Sequence, residues 1–188
     1  MKALVKTALV AALGLSAIGA FAGEISNTDI HADGARNEAT AKDARALQHI
    51  GVTFGSGKIL NSYVDAGNAK NHAWGENSTA HQDIGRALSG GTMDNVKVYA
   101  HNAHNDAYKK DSVAEQRIGS VRNGTMKDVT IKATNARNIA DAEGARATQE
   151  IGVVSNGTMK TVNIYADNAY NLASGKNSVA EQKIGVVN

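Results

Sequence analysis

The chain of 188 residues contains no cysteine, no proline and only eight aromatic residues. The absence of cysteine excludes a disulfide framework, a thiolate metal site and a cysteine nucleophile. Because proline cannot donate a backbone hydrogen bond, a chain without it suits a fold in which nearly every N–H group joins a β-ladder. The scarcity of aromatic side chains argues against a large conventional core and against the stacking platforms that bind single-stranded nucleic acids.

The first 22 residues have the organisation of a secretory signal peptide. Lys2 and Lys6 form a basic beginning, residues 8–17 are apolar, and residues 20–22 supply an Ala-Phe-Ala cleavage site. The sequence therefore predicts an extracellular or cell-surface protein whose mature chain starts at Gly23. The formal charge of +2 disappears with this segment, because it carries two of the 20 basic residues and none of the 18 acidic ones. A neutral mature chain offers no basic patch for nucleic acid.

Five tandem repeats fill the predicted mature chain, which forms one domain. Glutamine recurs at spacings of 34, 34, 33 and 33 residues, and each glutamine is followed two residues later by Ile-Gly. A glycine opens every repeat, and such self-similarity is the signature of a repeat architecture. The repeats span residues 23–56, 57–90, 91–123, 124–156 and 157–188.

The side-chain period within a repeat indicates β-strands. Along residues 178–186, one set of alternate positions is Ser, Ala, Gln, Ile and Val, and the other includes Glu181 and Lys183. A period of two is typical of a strand. A helical-repeat array is the alternative, because alanine-rich segments such as 133–147 keep some helical propensity, but its leucine stripes are missing. The sequence thus predicts an all-β protein, a β-solenoid of five stacked coils of 32–34 residues with parallel strands in register.

Columns of equivalent residues are consistent with this prediction. In a solenoid, equivalent residues of successive coils lie one strand spacing apart, about 4.8 Å. Inward columns should therefore be small, apolar, or amides that hydrogen-bond to their own copies. The apolar columns, predicted to form the stacked core, are Ile30, Val64, Val98, Ile131 and Ile164, and Ile50, Ile84, Ile118, Ile151 and Ile184. The amide columns, predicted to form ladders, are Gln48, Gln82, Gln116, Gln149 and Gln182, and Asn37, Asn71, Asn105, Asn138 and Asn171.

Two outward columns alternate in charge from coil to coil, apart from the uncharged His49. Opposite charges one strand spacing apart attract weakly and like charges repel, so this alternation favours the in-register arrangement. One column is His49, Asp83, Arg117, Glu150 and Lys183, and the other is Lys42, Glu76, Lys110, Glu143 and Lys176.

No catalytic, phosphate-binding or calcium-binding motif is present. His101 and His104 are close in sequence, but the other repeats hold unrelated residues in their columns, which indicates solvent-exposed variation and no metal site. We therefore predict that the protein is not an enzyme and uses no cofactor or metal. Tyr63, Tyr99 and Tyr165 are out of phase with the apolar columns and are predicted to face outward, either as simple strand residues or as contacts for a surface or glycan.

One strand-turn motif recurs with little change, as Asn-Ser-Val-Ala-Glu-Gln-Lys-Ile-Gly at residues 177–185 and as variants at 77–85 and 111–119. With the repeats aligned, the mature chain resembles the fibre subunits of bacterial functional amyloids of the curli class. The resemblance implies secretion across the outer membrane, nucleated assembly, and biofilm or surface adhesion. The curli repeat is shorter and spaces its Gln and Asn differently, so the chain is described as curli-like. Residues 173–180 also resemble the β-roll heads of trimeric autotransporter adhesins.

The ends of the mature repeats carry no proline, charge cluster or helix that would block a strand edge. We therefore expect the last coil of one copy to stack on the first coil of the next, which gives open filaments. The charged first repeat is either a specialised interface or a partial cap. The predicted function is a secreted structural subunit of extracellular cross-β fibres, for biofilm matrix or surface adhesion.

The expected partners are further copies of the chain, a secretion pore, a nucleator protein, and host or abiotic surfaces. The alternative is a secreted β-solenoid adhesin or glycan-binding protein of defined oligomeric state.

Overall fold

The computed structural model describes residues 13–188, with side chains from Gly23 onward. The first twelve residues of the predicted signal peptide lie outside the described residues, and the backbone of its last ten belongs to the first strand. The described chain contains strands, turns and bends but no helix. The all-β prediction is therefore confirmed, and the helical-repeat alternative is wrong.

Short strands separated by turns run the whole length of the described chain. They are β1 (Leu13–Ser26), β2 (Asp29–His31), β3 (Arg36–Ala39), β4 (Arg45–Leu60), β5 (Tyr63–Gly67), β6 (Lys70–Ala73), β7 (Thr79–Ala87), β8 (Thr92–Asp94), β9 (Lys97–His101), β10 (His104–Tyr108), β11 (Val113–Arg122), β12 (Thr125–Thr134), β13 (Arg137–Asp141), β14 (Arg146–Ile151), β15 (Val154–Ser155), β16 (Thr158–Asp167), β17 (Tyr170–Ser174) and β18 (Val179–Ile184).

Three stacks of parallel strands make up a solenoid of five coils. The first stack contains β2, β5, β9, β12 and β16, the second contains β3, β6, β10, β13 and β17, and the third contains β4, β7, β11, β14 and β18. Strand partners are the equivalent residues of neighbouring repeats, as for Gln82, which lies between Gln48 and Gln116. The predicted parallel, in-register solenoid is confirmed.

The first strand adds a layer before the first complete coil. Its backbone from Leu13 to Ala22 pairs in parallel with residues 45–54 of β4, and the register shifts between Ala22 and Glu24. The shift coincides with the predicted cleavage site. The segment that cleavage would remove therefore lies along the β4 edge of the first coil.

The interior has two regions of different width. Between the first and third stacks, isoleucine, valine and methionine side chains interdigitate, and Ile84, Ile118 and Ile131 are fully buried. Between the second and third stacks the apolar cluster consists of alanine. Small side chains let these two stacks approach closely enough for the Asn105 side chain to donate a hydrogen bond to the carbonyl of Ala80, at 3.1 Å.

The residues of the apolar columns become partly exposed to solvent in the last coil. Ile164 is half-buried and Ile184 is 42 % exposed, although both were predicted as core. The reason is positional, because no further coil lies on them within the described chain. The equivalent residues of the fourth coil, Ile131 and Ile151, are fully buried.

Asparagine forms one corner of the second to fifth coils in a left-handed backbone conformation, where the first coil has Gly34. Asn68, Asn102, Asn135 and Asn168 have φ angles of 53°, 52°, 54° and 53°. Asparagine tolerates this region better than most residues. Their side chains also hydrogen-bond from coil to coil, at 3.0 Å from Asn102 to Asn68. This column is therefore both a repeated turn and an exposed ladder.

Glycine is required for two reasons at once in the first four Ile-Gly pairs, as Gly119 shows. Gly119 has a φ of 58°, and a Cβ at this position would lie 2.5 Å from Cγ1 of the buried Ile131. Gly55 offers a comparison, since it has a φ of 65° but nothing within 4 Å of the equivalent point.

We predict that Gly119→Ala destabilises the fold by about 2–4 kcal/mol, the sum of left-handed strain and core crowding. Gly55→Ala should cost only the strain, about 1–2 kcal/mol. Chemical denaturation of both variants measures the difference. Equal losses in the two variants would show that crowding between a Cβ at position 119 and Ile131 adds no cost.

Candidate functional site

The glutamine column forms a continuous hydrogen-bonded ladder through the interior. Each Nε2 donates to Oε1 of the glutamine in the preceding coil, at 2.6 Å from Gln82 to Gln48 and 2.8 Å from Gln116 to Gln82. The ladder continues through Gln149 and Gln182, at 2.7 and 2.6 Å. These amides also donate to backbone carbonyls of the turns. The polar groups that stacking buries are thereby satisfied, which removes the cost of burying them unpaired.

The asparagine column forms a second ladder that runs in the opposite direction. Asn37 donates through Nδ2 to Oδ1 of Asn71 at 2.9 Å, and Asn71 donates to Asn105 at 2.7 Å. Asn105 donates to Asn138 at 2.7 Å, and Asn138 donates to Asn171 at 2.8 Å. Donation therefore runs from the first coil to the last along the asparagines, and from the last to the first along the glutamines.

The two ladders leave complementary groups at the two ends of the solenoid. In the last coil, Gln182 Oε1 accepts from no glutamine and Asn171 Nδ2 donates to no asparagine within the described chain. In the first coil, Gln48 Nε2 has no glutamine acceptor and Asn37 Oδ1 has no asparagine donor there. One end thus offers the acceptor and donor that match the donor and acceptor of the other.

One predicted charge column forms ion pairs and the other does not. Asp83 lies 3.3 Å from His49 Nδ1 and 3.9 Å from Arg117, and Arg117 lies 3.3 Å from Glu150. Lys183 pairs with Glu181 of its own strand at 2.9 Å. The column that begins at Lys42 has no ion pair within 4 Å among residues 23–188.

A compact group of charged side chains lies on the outer face of the third stack. The His81 Nε2 is 2.9 Å from Asp83 Oδ2, and its Nδ1 is 3.0 Å from Glu115. Arg86 Nη1 donates to both oxygens of Asp83, at 3.0 and 3.1 Å. We call His49, His81, Asp83, Arg86 and Glu115 the outer-face cluster. Asp83 is 1 % exposed, so its charge depends on these partners.

The partners shift the pKa values of the cluster. Burial opposes protonation of His81, but the hydrogen bonds with Asp83 and Glu115 outweigh it and raise the His81 pKa to about 9. The hydrogen bond with His81 outweighs desolvation of Glu115 and, with the charge of Arg117, lowers the Glu115 pKa to about 2. Desolvation opposes ionisation of Asp83, yet its contacts with the two histidines and Arg86 hold its pKa well below the usual range.

Three members of the outer-face cluster bring metal-ligating atoms close together. Among the described residues, one group of at least three His, Cys, Asp or Glu residues brings its ligand atoms within 4.8 Å of one another, namely His49, His81 and Asp83. The charge column predicted from the sequence contains His49 and Asp83 but not His81. His81 lies two residues before Asp83 on the same face of β7, and that spacing was the available signal.

Other candidate residues are dispersed. His101 and His104 belong to no group of three potential metal ligands within the described chain. Tyr63 and Tyr99 are half-buried and pack edge to face at 5.1 Å, whereas Tyr165 is 58 % exposed. A second aromatic pair, which the sequence analysis did not identify, lies on the second stack, where Trp74 stacks on Tyr108 at 4.5 Å.

Comparison of the chain with family models, with curated proteins and with solved structures gives no match. Within residues 13–188 there is no helix of the length and apolar character needed to cross a membrane.

We predict that Gln116→Ala lowers stability by at least about 2 kcal/mol, because it leaves polar groups of Gln82 and Gln149 buried without partners. Gln182→Ala should lower it by less than about 1 kcal/mol, because that amide ends the ladder and is exposed. Urea unfolding of the two variants tests this. A Gln182→Ala loss as large as that of Gln116→Ala would contradict the burial argument.

We also predict that the contribution of His81 and Glu115 to stability is greatest between about pH 4.5 and 6.5, the unfolded pKa values of Glu and His. The raised pKa of His81 gives stability that is complete below pH 6.5 and lost as the pH rises through about 9. The lowered pKa of Glu115 gives stability that is complete above pH 4.5 and lost as the pH falls through about 2.

Unfolding free energies measured against pH in chelator-treated buffer test this dependence. Between pH 6.5 and 9 the intact protein should lose on the order of 2–3 kcal/mol, and His81→Gln should remove most of that slope. His31→Gln, at a histidine exposed on the first stack, should keep it. An unchanged slope in His81→Gln would contradict the assignment.

Proposed function

We propose that the mature chain is a secreted structural subunit that assembles head to tail into extracellular cross-β fibres. The observation that carries the proposal is the complementarity of the two ladder ends. An open solenoid end exposes a template for another strand layer. Contacts between unlike ends do not close on themselves, so they propagate into a filament.

Stacking of a second copy would continue both ladders. Gln182 Oε1 of one copy would accept from Gln48 Nε2 of the next, and Asn171 Nδ2 would donate to Asn37 Oδ1. The opposite polarity of the ladders supports a head-to-tail junction, because a head-to-head junction would bring two donors together on one ladder and two acceptors on the other. The ladders therefore favour one orientation of the subunits.

The apolar columns support the same junction. Ile184 is 42 % exposed at the end of a column whose other described members, Ile50, Ile84, Ile118 and Ile151, are fully buried. A further coil on this face would bury it against the Ile50 of the next copy, at a gain of about 25 cal/mol per Å² of apolar surface. The open edges of β16, β17 and β18, which pair with no further strand in the described chain, would receive that coil.

Removal of the predicted signal peptide would expose a strand edge at the first coil, the other end of the solenoid. Residues 13–22 pair with residues 45–54 of β4, so cleavage after Ala22 would free this edge. A neutral mature chain would not oppose association by net charge. One surface contact works against it, because Lys176 would lie beside Lys42, and exposed like charges cost only a few tenths of a kcal/mol.

A second candidate function is a surface-binding or glycan-binding adhesin of defined oligomeric state. It is favoured by the stacked pair of Trp74 and Tyr108, since Trp74 is 44 % exposed, and by the exposed Tyr165. Aromatic rings with an apolar face and a polar edge suit such contacts. This function predicts a discrete particle, whereas the fibre function predicts open growth.

Purified residues 23–188 should form unbranched fibres in electron micrographs, with a diffraction repeat of about 4.8 Å along the fibre axis. Ile184→Lys should abolish them, because the junction would bury a charge, while leaving the monomer folded. Tyr165→Lys is the matched control, since this side chain lies on the outer surface of the same coil.

Light scattering and circular dichroism accompany the micrographs. A folded monomer or closed oligomer at high concentration would contradict the fibre proposal and favour the adhesin. Fibres of Ile184→Lys indistinguishable from those of the unaltered chain would show that the last coil is not the junction.

A further inference from the structure

We propose that His49, His81 and Asp83 form a binding site for a divalent transition-metal ion of the zinc type on the outer face of the third stack. The inference does not depend on fibre assembly, because all three residues lie in the first two coils of one chain. It rests on ligand geometry, on the groups behind the ligands and on an unsatisfied nitrogen.

The parallel register brings the three ligand atoms together. His49 and Asp83 are direct partners across β4 and β7, and His81 lies two residues before Asp83 on the same face. Asp83 Oδ2 is 3.3 Å from His49 Nδ1 and 2.9 Å from His81 Nε2. Zinc–nitrogen bonds of about 2.0–2.1 Å place the ligand atoms of a tetrahedral site about 3.3 Å apart. Small side-chain rotations would therefore complete three corners of a tetrahedron.

Residues that hydrogen-bond to the three ligands would orient them for an ion. His81 directs Nδ1 to Glu115 at 3.0 Å, which leaves Nε2 facing Asp83 and His49. Arg86 Nη1 donates to both oxygens of Asp83, at 3.1 Å to Oδ1 and 3.0 Å to Oδ2, so the ion would replace Arg86 at Oδ2 while Oδ1 keeps its hydrogen bond. Carboxylate partners of ligating histidines and hydrogen bonds to ligating carboxylates are the usual second layer of metal sites.

The His49 nitrogen supplies the independent observation. His49 Nδ1 is buried and makes no hydrogen bond within the described chain, although it lies 3.3 Å from Asp83. A buried polar atom without a hydrogen bond is costly, and coordination of an ion would satisfy it. The ring is packed edge to face against Phe54 at 5.6 Å, and both histidines retain some exposure, at 14 and 17 %. Solvent can therefore supply a fourth ligand.

Two cations compete with the ion, namely Arg86 at Asp83 Oδ2 and Arg117 at His81 Nε2. Arg117 Nη1 lies 3.2 Å from His81 Nε2, but Arg117 is also held by Glu115 at 3.2 Å and by Glu150 at 3.3 Å. The ion would displace the proton on His81 Nε2 and the Arg117 contact with that nitrogen, and Arg117 would keep both carboxylates. Nitrogen and carboxylate donors in this number suit zinc better than calcium or magnesium, which prefer oxygen.

Equilibrium dialysis of chelator-treated residues 23–188 against ZnCl₂ tests the site, because it counts bound ions on monomers and fibres alike. We expect one tightly bound zinc per chain. His49→Ala and His81→Ala should each weaken binding at least about tenfold, since each removes one of three protein ligands. Arg117→Gln should strengthen binding. His31→Ala is the control, since His31 lies 3.6 Å from Asp65 with no third ligand and should bind no differently.

Circular dichroism of each variant ensures that the comparison is between folded proteins, and Co²⁺ in place of zinc gives a visible spectrum that reports tetrahedral coordination. Unchanged zinc affinity in folded His49→Ala, or an equal loss in His31→Ala, would overturn the proposal. No zinc bound up to millimolar concentration, or Arg117→Gln that binds zinc more weakly, would do the same.

Discussion

In-register stacking of parallel strands places each side chain about one strand spacing from its own copies, and the rest of the structure follows from this constraint. A buried glutamine would ordinarily be costly, but stacked copies satisfy one another's amides. The same stacking requires glycine where a Cβ would enter the next layer. At Gly124, for example, a Cβ would lie 1.9 Å from the carbonyl oxygen of Gly91. In-register stacking therefore explains both the buried amide columns and the positions that accept only glycine.

The constraint acts differently inside and outside. In the interior, copies of the same amide residue stack and satisfy one another's hydrogen-bonding groups. On the outer surface, identical charges would repel, so the columns contain unlike residues. In-register stacking then places side chains from different repeats in contact, in combinations that no single repeat contains. The outer-face cluster arises in this way, because His81, Asp83 and Glu115 come from two coils and His49 from a third. A repeat protein can thus build one local site on a regular scaffold.

Most of the fold could be predicted from the sequence, because every coil repeats the same evidence. The spacing of the glutamines predicts the coil length, and the period of two predicts the strands. The direction of hydrogen-bond donation along the ladders could not be predicted, since Gln and Asn each carry a donor and an acceptor. The spacing of His81 from Asp83 predicts that both lie on one face, but its contact with Glu115 could not be predicted, because the residues of that column differ from coil to coil. The exposure of Ile184 depends on its place in the last coil and on nothing in its own repeat.

The function proposed for the protein depends on whether the glutamine ladder crosses from one subunit to the next. The chain contains five glutamines, and all of them lie in this ladder. Fibres grown from a mixture of copies labelled with ¹⁵N in the glutamine amides and copies labelled with ¹³C in the glutamine side chains would report this in solid-state NMR. A glutamine ladder that crosses the junction predicts a ¹⁵N–¹³C contact between different copies that disappears in mixtures of Gln48→Ala chains. Fibres without any glutamine contact between copies would contradict it.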